Sequence, residues 1–108
     1  MNDNGKPIED VITHSLMDRA VTVIRDLKTD TDPAKSEMFL HEDENGLECI
    51  AWTFEHEHDQ DDTFNLLLKE QSQRKLYQSN LRVETDKYYP GVIFFYDRIY
   101  YDDSQRFV

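Results

Sequence analysis

Apolar residues near the start of the chain recur at helical spacing. Ile8, Ile12, Leu16, Ala20, Val23 and Leu27 form one stripe, with Val11 and Ile24 beside it. Pro7 suits a first helical turn. Glu9 and Asp10 suit the positive end of the helix dipole, and Lys28 the negative end. The turn formers TDTDPAKS follow and should stop the helix. The spacing therefore predicts a helix from Pro7 to about Lys28, after a frayed start at residues 1–6.

Two strand-like runs come next, MFLHEDE and LECIAWTFE, flanking Asn45-Gly46. Asn-Gly between such runs is a strong hairpin signal, because a type I′ turn needs positive φ at both central residues. That turn pairs Glu44 with Leu47, His41 with Ile50, Phe39 with Trp52 and Glu37 with Phe54. Phe39, His41, Ile50, Trp52 and Phe54 then share one face. Met38, Leu40, Leu47, Cys49 and Ala51 share the other.

HEHDQDD breaks the strand pattern. Asp61 or Asp62 can cap a helix from Thr63 to about Ser79, with Phe64, Leu67, Leu68 and Leu76 inward. LRVET alternates as a strand, and Asp86-Lys87 and Pro90-Gly91 are turns. Val92–Tyr96 is a further strand. Ile99–Tyr101 either extends it or, the preferred reading, returns through Asp97-Arg98. Alternation buries Ile93, Phe95 and Ile99 and places Phe94, Tyr96 and Tyr100 on the opposite face. The order α-β-β-α-β-β predicts a single α+β domain over residues 1–108. Its antiparallel sheet has four or five strands, backed by one or two helices.

A length of 108 residues is too short for a Rossmann enzyme, an α/β-hydrolase or a TIM barrel. Thirteen aromatic residues argue against disorder. The longest apolar run, Val92–Tyr96, falls far short of the ~20 residues that span a bilayer. The polar, acidic beginning lacks the pattern of a signal peptide. One cysteine, Cys49, cannot form an internal disulfide. The expectation is a cytoplasmic protein with no membrane association.

Charge changes the picture more. The formal net charge is −11. Residues 36–68 hold ten acids and no Lys or Arg, while the remainder holds thirteen acids against twelve bases. Nearly all of the excess thus lies in the hairpin and the segment after it. Glu42, Asp43, Glu44 and Glu48 gather at the predicted tip. Glu55, Glu57, Asp59, Asp61 and Asp62 gather at the other end, roughly 20–25 Å away at the rise of a strand. Packing like charges together costs stability through self-repulsion. The functional reading is a docking surface for a basic protein, such as a nuclease toxin or a nucleic-acid-binding protein. The bland reading is a solvated face that keeps a small domain soluble. Direct binding to nucleic acid is disfavoured, since phosphate backbones repel such a charge.

Catalytic and metal constellations fare poorly. His56 and His58 are spaced to share a cation with Asp59 or Asp61, but His41 lies about 20 Å away along the strands. A polar loop is the simpler reading of HEHDQDD. Asp59, Asp61, Thr63 and Glu70 match EF-hand positions, yet Phe64 stands where the loop needs Gly. In the predicted register Cys49 faces away from His41 and lies opposite Glu42, which gives the thiol no base. His14, between Asp10 and Asp18, reads as local charge pairing. Gly5, Gly46 and Gly91 are isolated, so no phosphate cradle is available.

Eight of the thirteen aromatics fall in the last 21 residues. Base stacking would need a basic groove, and only Arg98 and Arg106 are near. Core packing and a protein interface remain as readings. The expectation is a non-enzymatic, cofactor-free binding protein that neutralises a basic partner, in the manner of an immunity protein or nucleic-acid mimic. The two acidic groups would bind the partner together with exposed Tyr96 and Tyr100. The alternatives are a regulatory subunit that homodimerises through its C-terminal aromatic strands, and a metal-binding protein using His56 and His58.

Overall fold

The computed structural model describes residues 8–27 and 37–105, with side chains from residue 15 onward. The frayed start, the turn run at 29–36, the terminal Phe107, and the side chains of Ile8, Val11, Ile12 and His14 lie outside the described residues. The elements are α1 (Ile8–Asp26), β1 (Glu37–Glu42), β2 (Glu48–Thr53), α2 (Glu57–Leu67), α3 (Glu70–Gln78), β3 (Leu81–Glu84), β4 (Val92–Asp97) and α4 (Arg98–Gln105). The strands form one antiparallel sheet in the order β1-β2-β4-β3. The α+β class and the four-strand sheet agree with the sequence pattern. No described helix is long and apolar enough to cross a membrane.

The main core lies on one face of the sheet. Ile50, Trp52, Leu81, Val83, Ile93 and Phe95 pack there against Leu16, Ala20, Val23 and Ile24 of α1, with Leu67 of α2 and Leu76 of α3. The α1 stripe therefore buries as its spacing predicts, for the residues whose side chains are described. Three helices back this face. The predicted helix over 63–79 is two helices, broken at Leu68-Lys69, and Leu68 points outward. The first begins at Glu57, six residues early. HEHDQDD is thus mostly helix rather than loop, and His56 stands at its N-cap without a capping side chain.

The first hairpin is correctly located, but its register is shifted by one residue. Glu37 pairs with Thr53, Phe39 with Ala51, His41 with Cys49 and Glu42 with Glu48. Asp43 causes the shift. One carboxylate oxygen accepts from the Asn45 and Leu47 amides at 2.9 Å each. Its backbone carbonyl accepts from the Gly46 amide, and its own amide donates to the Leu47 carbonyl. The loop is therefore three residues long, and only Gly46 has positive φ (81°). A three-residue loop ending in a left-handed glycine is the next commonest hairpin connection. Side chains alternate with a period of two, so the slip exchanges the faces of one strand relative to the other. Cys49 consequently shares a face with His41, contrary to the predicted register.

The C-terminal part differs most. Asp97-Arg98 does not turn a hairpin; Arg98–Gln105 is helical. The Asp97 carboxylate accepts from the Tyr100 amide at 3.1 Å, which satisfies a donor of the first turn as a helix cap does. Ile93 and Phe95 are buried as alternation predicts, whereas Ile99 is 60% exposed on α4. Phe94 and Tyr96 are not left open on the opposite face. They are buried there with Cys49 and Ala51, with Tyr101 of α4 packed against them. β4 lies between β2 and β3, so dimerisation by edge pairing of that aromatic strand is not open to it. The described edges are β3 and β1, and β1 carries exposed Phe39 and Leu40.

Candidate functional site

The segment joining β3 to β4 folds back over the second face of the sheet. Asp86 organises it, accepting from the Tyr88 amide through its side chain (2.9 Å) and from the Tyr89 amide through its carbonyl (2.9 Å). Gly91 then brings the chain into β4. Its φ is +78°, and a Cβ there would sit 3.2 Å from the Phe54 carbonyl, so glycine is the residue this approach tolerates. The fold-back stacks the Tyr89 ring edge-on against Phe94 and against His41, at 5.8 and 5.9 Å between centroids.

Between this segment, the hairpin turn and α4 lies a cleft of about 330 Å³. Its aromatic lining is His41, Tyr88, Tyr89, Phe94, Tyr96 and Tyr101, and its charged lining is Asp43, Glu44, Glu84 and Asp86. Two tyrosines fix two of the carboxylates. Tyr96 donates to Asp43 at 3.0 Å and Tyr101 donates to Glu84 at 3.3 Å. Both phenols titrate above their usual range. For Tyr96 the main cause is burial, followed by neighbouring Cys49 and Asp43. For Tyr101 it is burial, followed by the charge of Glu84. Both phenols therefore serve as proton donors that hold carboxylates in place.

Cys49 lies beneath this site, fully buried. Burial, with the charge of Asp43, pushes its thiol up to about 12, despite a hydrogen bond with Tyr96 that lowers it. The observed register places His41 across from it, yet the thiol is far from the thiolate form that nucleophilic chemistry needs. A thiol that releases its proton at about 9 when unfolded and about 12 when folded stabilises the native state fully below pH 9. That contribution is lost as the pH rises towards 12, at about 1.4 kcal/mol per pH unit. Urea midpoints measured between pH 8 and pH 10 should show this decline, and Cys49→Ala should flatten it between pH 9 and pH 10. An unchanged slope in that variant would refute the assignment to Cys49.

The predicted site residues divide into several groups. Glu42, Glu44 and Glu48 are exposed at the tip, with Glu42 directly opposite Glu48. Asp43 is there too, but the turn and Tyr96 occupy its carboxylate, so its role is structural. Glu55, Glu57, Asp61 and Asp62 are exposed beyond the other end of the hairpin. Glu57 and Asp59 occupy the first turn of α2, where negative charge offsets the missing cap. Tyr96 is 7% exposed, packed against Tyr101 of α4 and bonded to Asp43, so it offers a partner no more than part of the cleft wall. Tyr100 is 46% exposed on α4, away from the cleft lining. His56 and His58 stack at 5.5 Å, and His58 lies 3.3 Å from Asp59. Among the described residues no group of three or more His, Cys, Asp or Glu is placed to hold a metal ion.

Sequence reasoning missed Glu84, Asp86, Tyr88, Tyr89 and Tyr101 as one site. Asp86-Lys87 is legible as a turn, and the tyrosines as unusual. Nothing local states that the turn lies back across the sheet to meet the hairpin tip. No family model matches this chain, and no curated protein or solved structure matches it either.

Proposed function

We propose that this chain is a small cytoplasmic binding protein, without catalytic activity, that neutralises a basic protein partner in the manner of an immunity protein or a nucleic-acid mimic. One observation carries the reading. Eight of the ten acids between residues 36 and 68 are exposed on a segment with no Lys or Arg of its own. Elsewhere Lys and Arg pair with Asp26, Glu70, Glu84, Asp97 and Asp102, all outside that segment. The unbalanced charge gives long-range attraction and fast, salt-sensitive association with a positive surface. The buried Cys49 thiol, pushed far above neutrality, supplies no thiolate nucleophile beneath the cleft, which favours binding over thiol chemistry.

The test is capture from a lysate of the expressing cells at low salt, with elution by a salt gradient and identification by mass spectrometry. One basic protein should appear in stoichiometric amount. Replacing Glu42, Glu44 and Glu48 by Gln leaves Asp43 and its turn intact. This triple variant should weaken the purified complex by about tenfold at low salt, and by less near 0.5 M salt. Unchanged affinity, or recovery of the chain alone, would overturn the proposal.

A further inference from the structure

We propose that the aromatic cleft between the hairpin turn, the β3–β4 segment and α4 receives an arginine side chain of the basic partner. This inference rests on the binding function above and assigns the contact within it. Charge complementarity is the first argument. Every charged residue lining the cleft is a carboxylate. Glu84 is partly offset by Arg82, which lies 3.2 Å away. Asp43 is occupied by its turn. Glu44 and Asp86 keep oxygens that face no cation in the described structure.

The rings supply a second, independent argument. The protein's own cations already sit on two of them. The Arg82 guanidinium lies 4.4 Å from the centre of the Tyr101 ring, and the Lys87 ammonium 5.2 Å from that of Tyr88. Both distances fall within the ~6 Å range of cation–π attraction. The rings at this rim are thus placed to meet positive charge. Tyr88 is 76% exposed, so an incoming guanidinium can displace the Lys87 ammonium from it, and half-exposed Tyr89 carries no cation among the described residues.

Size and shape select the occupant. The volume lies at the small end of ligand pockets, which suits one side chain rather than a large molecule. A guanidinium is planar, stacks on a tyrosine face and forks onto a carboxylate through two parallel N–H groups. An ammonium offers a compact, strongly hydrated charge without that plane.

The probes are three blocked tripeptides of the form acetyl-Gly-X-Gly-amide, with X arginine, lysine or citrulline. Each is titrated into the isotope-labelled protein and followed by amide chemical shifts. The arginine peptide should shift Glu44, Asn45, Asp86, Tyr88 and Tyr89 saturably. The lysine peptide should bind several-fold more weakly, and neutral citrulline should leave these signals in place. Asp86→Asn keeps the acceptor for the Tyr88 amide and removes the charge, so it should weaken arginine binding about threefold to fivefold. Tyr88→Ala, at the most exposed ring, should have an effect of similar size without disturbing the core. The assignment is overturned by no saturable shift, by equal shifts with citrulline, by lysine binding as tightly as arginine, or by shifts centred on Glu55–Asp62. Failure of the cleft is distinct from failure of the broader reading. If the captured partner is lost with the Glu42, Glu44 and Glu48 variant but held fully by Asp86→Asn and Tyr88→Ala, the docking surface stands and the cleft falls. If arginine binds at the cleft but no basic partner is recovered, the cleft stands and the docking surface falls.

Discussion

Replacing Trp52 with Ala should lower the unfolding free energy by about 3–5 kcal/mol, the cost of removing a large aromatic side chain from a packed core. Trp52 is fully buried on β2, paired with Met38 of β1 and Ile93 of β4. Its ring meets Phe54 at 4.5 Å and Phe95 at 6.2 Å. Strands on both sides and the helices above hold the cavity walls apart, so the site cannot close over the void. Domains of this size are stable by roughly 5–15 kcal/mol, so the variant should be partly unfolded at moderate urea. Chemical denaturation followed by far-ultraviolet dichroism measures the loss. Phe39→Ala, on the exposed edge strand, is the control and should cost under about 1 kcal/mol. A loss below about 1 kcal/mol for Trp52→Ala would show that the core lies elsewhere.

The second large effect belongs to Asp97. Its carboxylate ties three parts of the fold together. It accepts from Arg19 of α1 at 3.0 Å, from the Asn80 side chain at 3.0 Å and from the Tyr100 amide that opens α4. Arg19 also donates to the Ser79 and Asn80 carbonyls, and Asn80 holds the turn before β3 at a φ of 53°. Removing the acid leaves a mostly buried guanidinium without its counter-charge, strips α4 of its cap and frees a left-handed asparagine. Asp97→Ala should therefore cost about 2–4 kcal/mol, discounted for the exposure that Arg19 retains. Arg19→Met combined with Asp97→Ala should recover part of that loss, because the unpaired charge is then gone. Simple additivity of the two in a double-mutant cycle would disprove the coupling.

These two residues also mark what the sequence makes legible. Trp52 closes the continuous apolar run at residues 49–52, and such a run next to a hairpin turn marks a strand covered on both faces. The α1 stripe and the position of the first hairpin are legible for the same reason, since period and turn chemistry are local. Register is less so. Asn45-Gly46 suggests a two-residue turn, but Asp43 offers its carboxylate to two amides and so favours a longer one. α4 is misread because Ile99, Tyr100 and Tyr101 are strand-formers, while the cap at Asp97 outweighs their preference. The start of α2 is misread because its first turns hold charge instead of apolar spacing. The cleft is out of reach altogether. It depends on β4 lying between β2 and β3 and on a segment crossing the sheet, and both are long-range facts. The acidic hairpin is visible as composition, yet which of its carboxylates remain free depends on bonds such as Tyr96 to Asp43.

The exposed strand β1 has a bearing on how the molecule behaves at high concentration. Phe39 and Leu40 give this edge the apolar character that invites another strand to join it. If two copies lie antiparallel along β1 in register, Glu37 of each meets Glu42 of the other, so like charges oppose at both ends of the ladder. The edge is thereby guarded against its own kind, while a segment carrying lysine or arginine meets no such barrier. The guard is ionic and weakens as salt rises. Salt that loosens the acidic surface from a basic partner thus also removes the protection against strand-by-strand self-association, which makes β1 the place where aggregation of concentrated, high-salt stocks should begin.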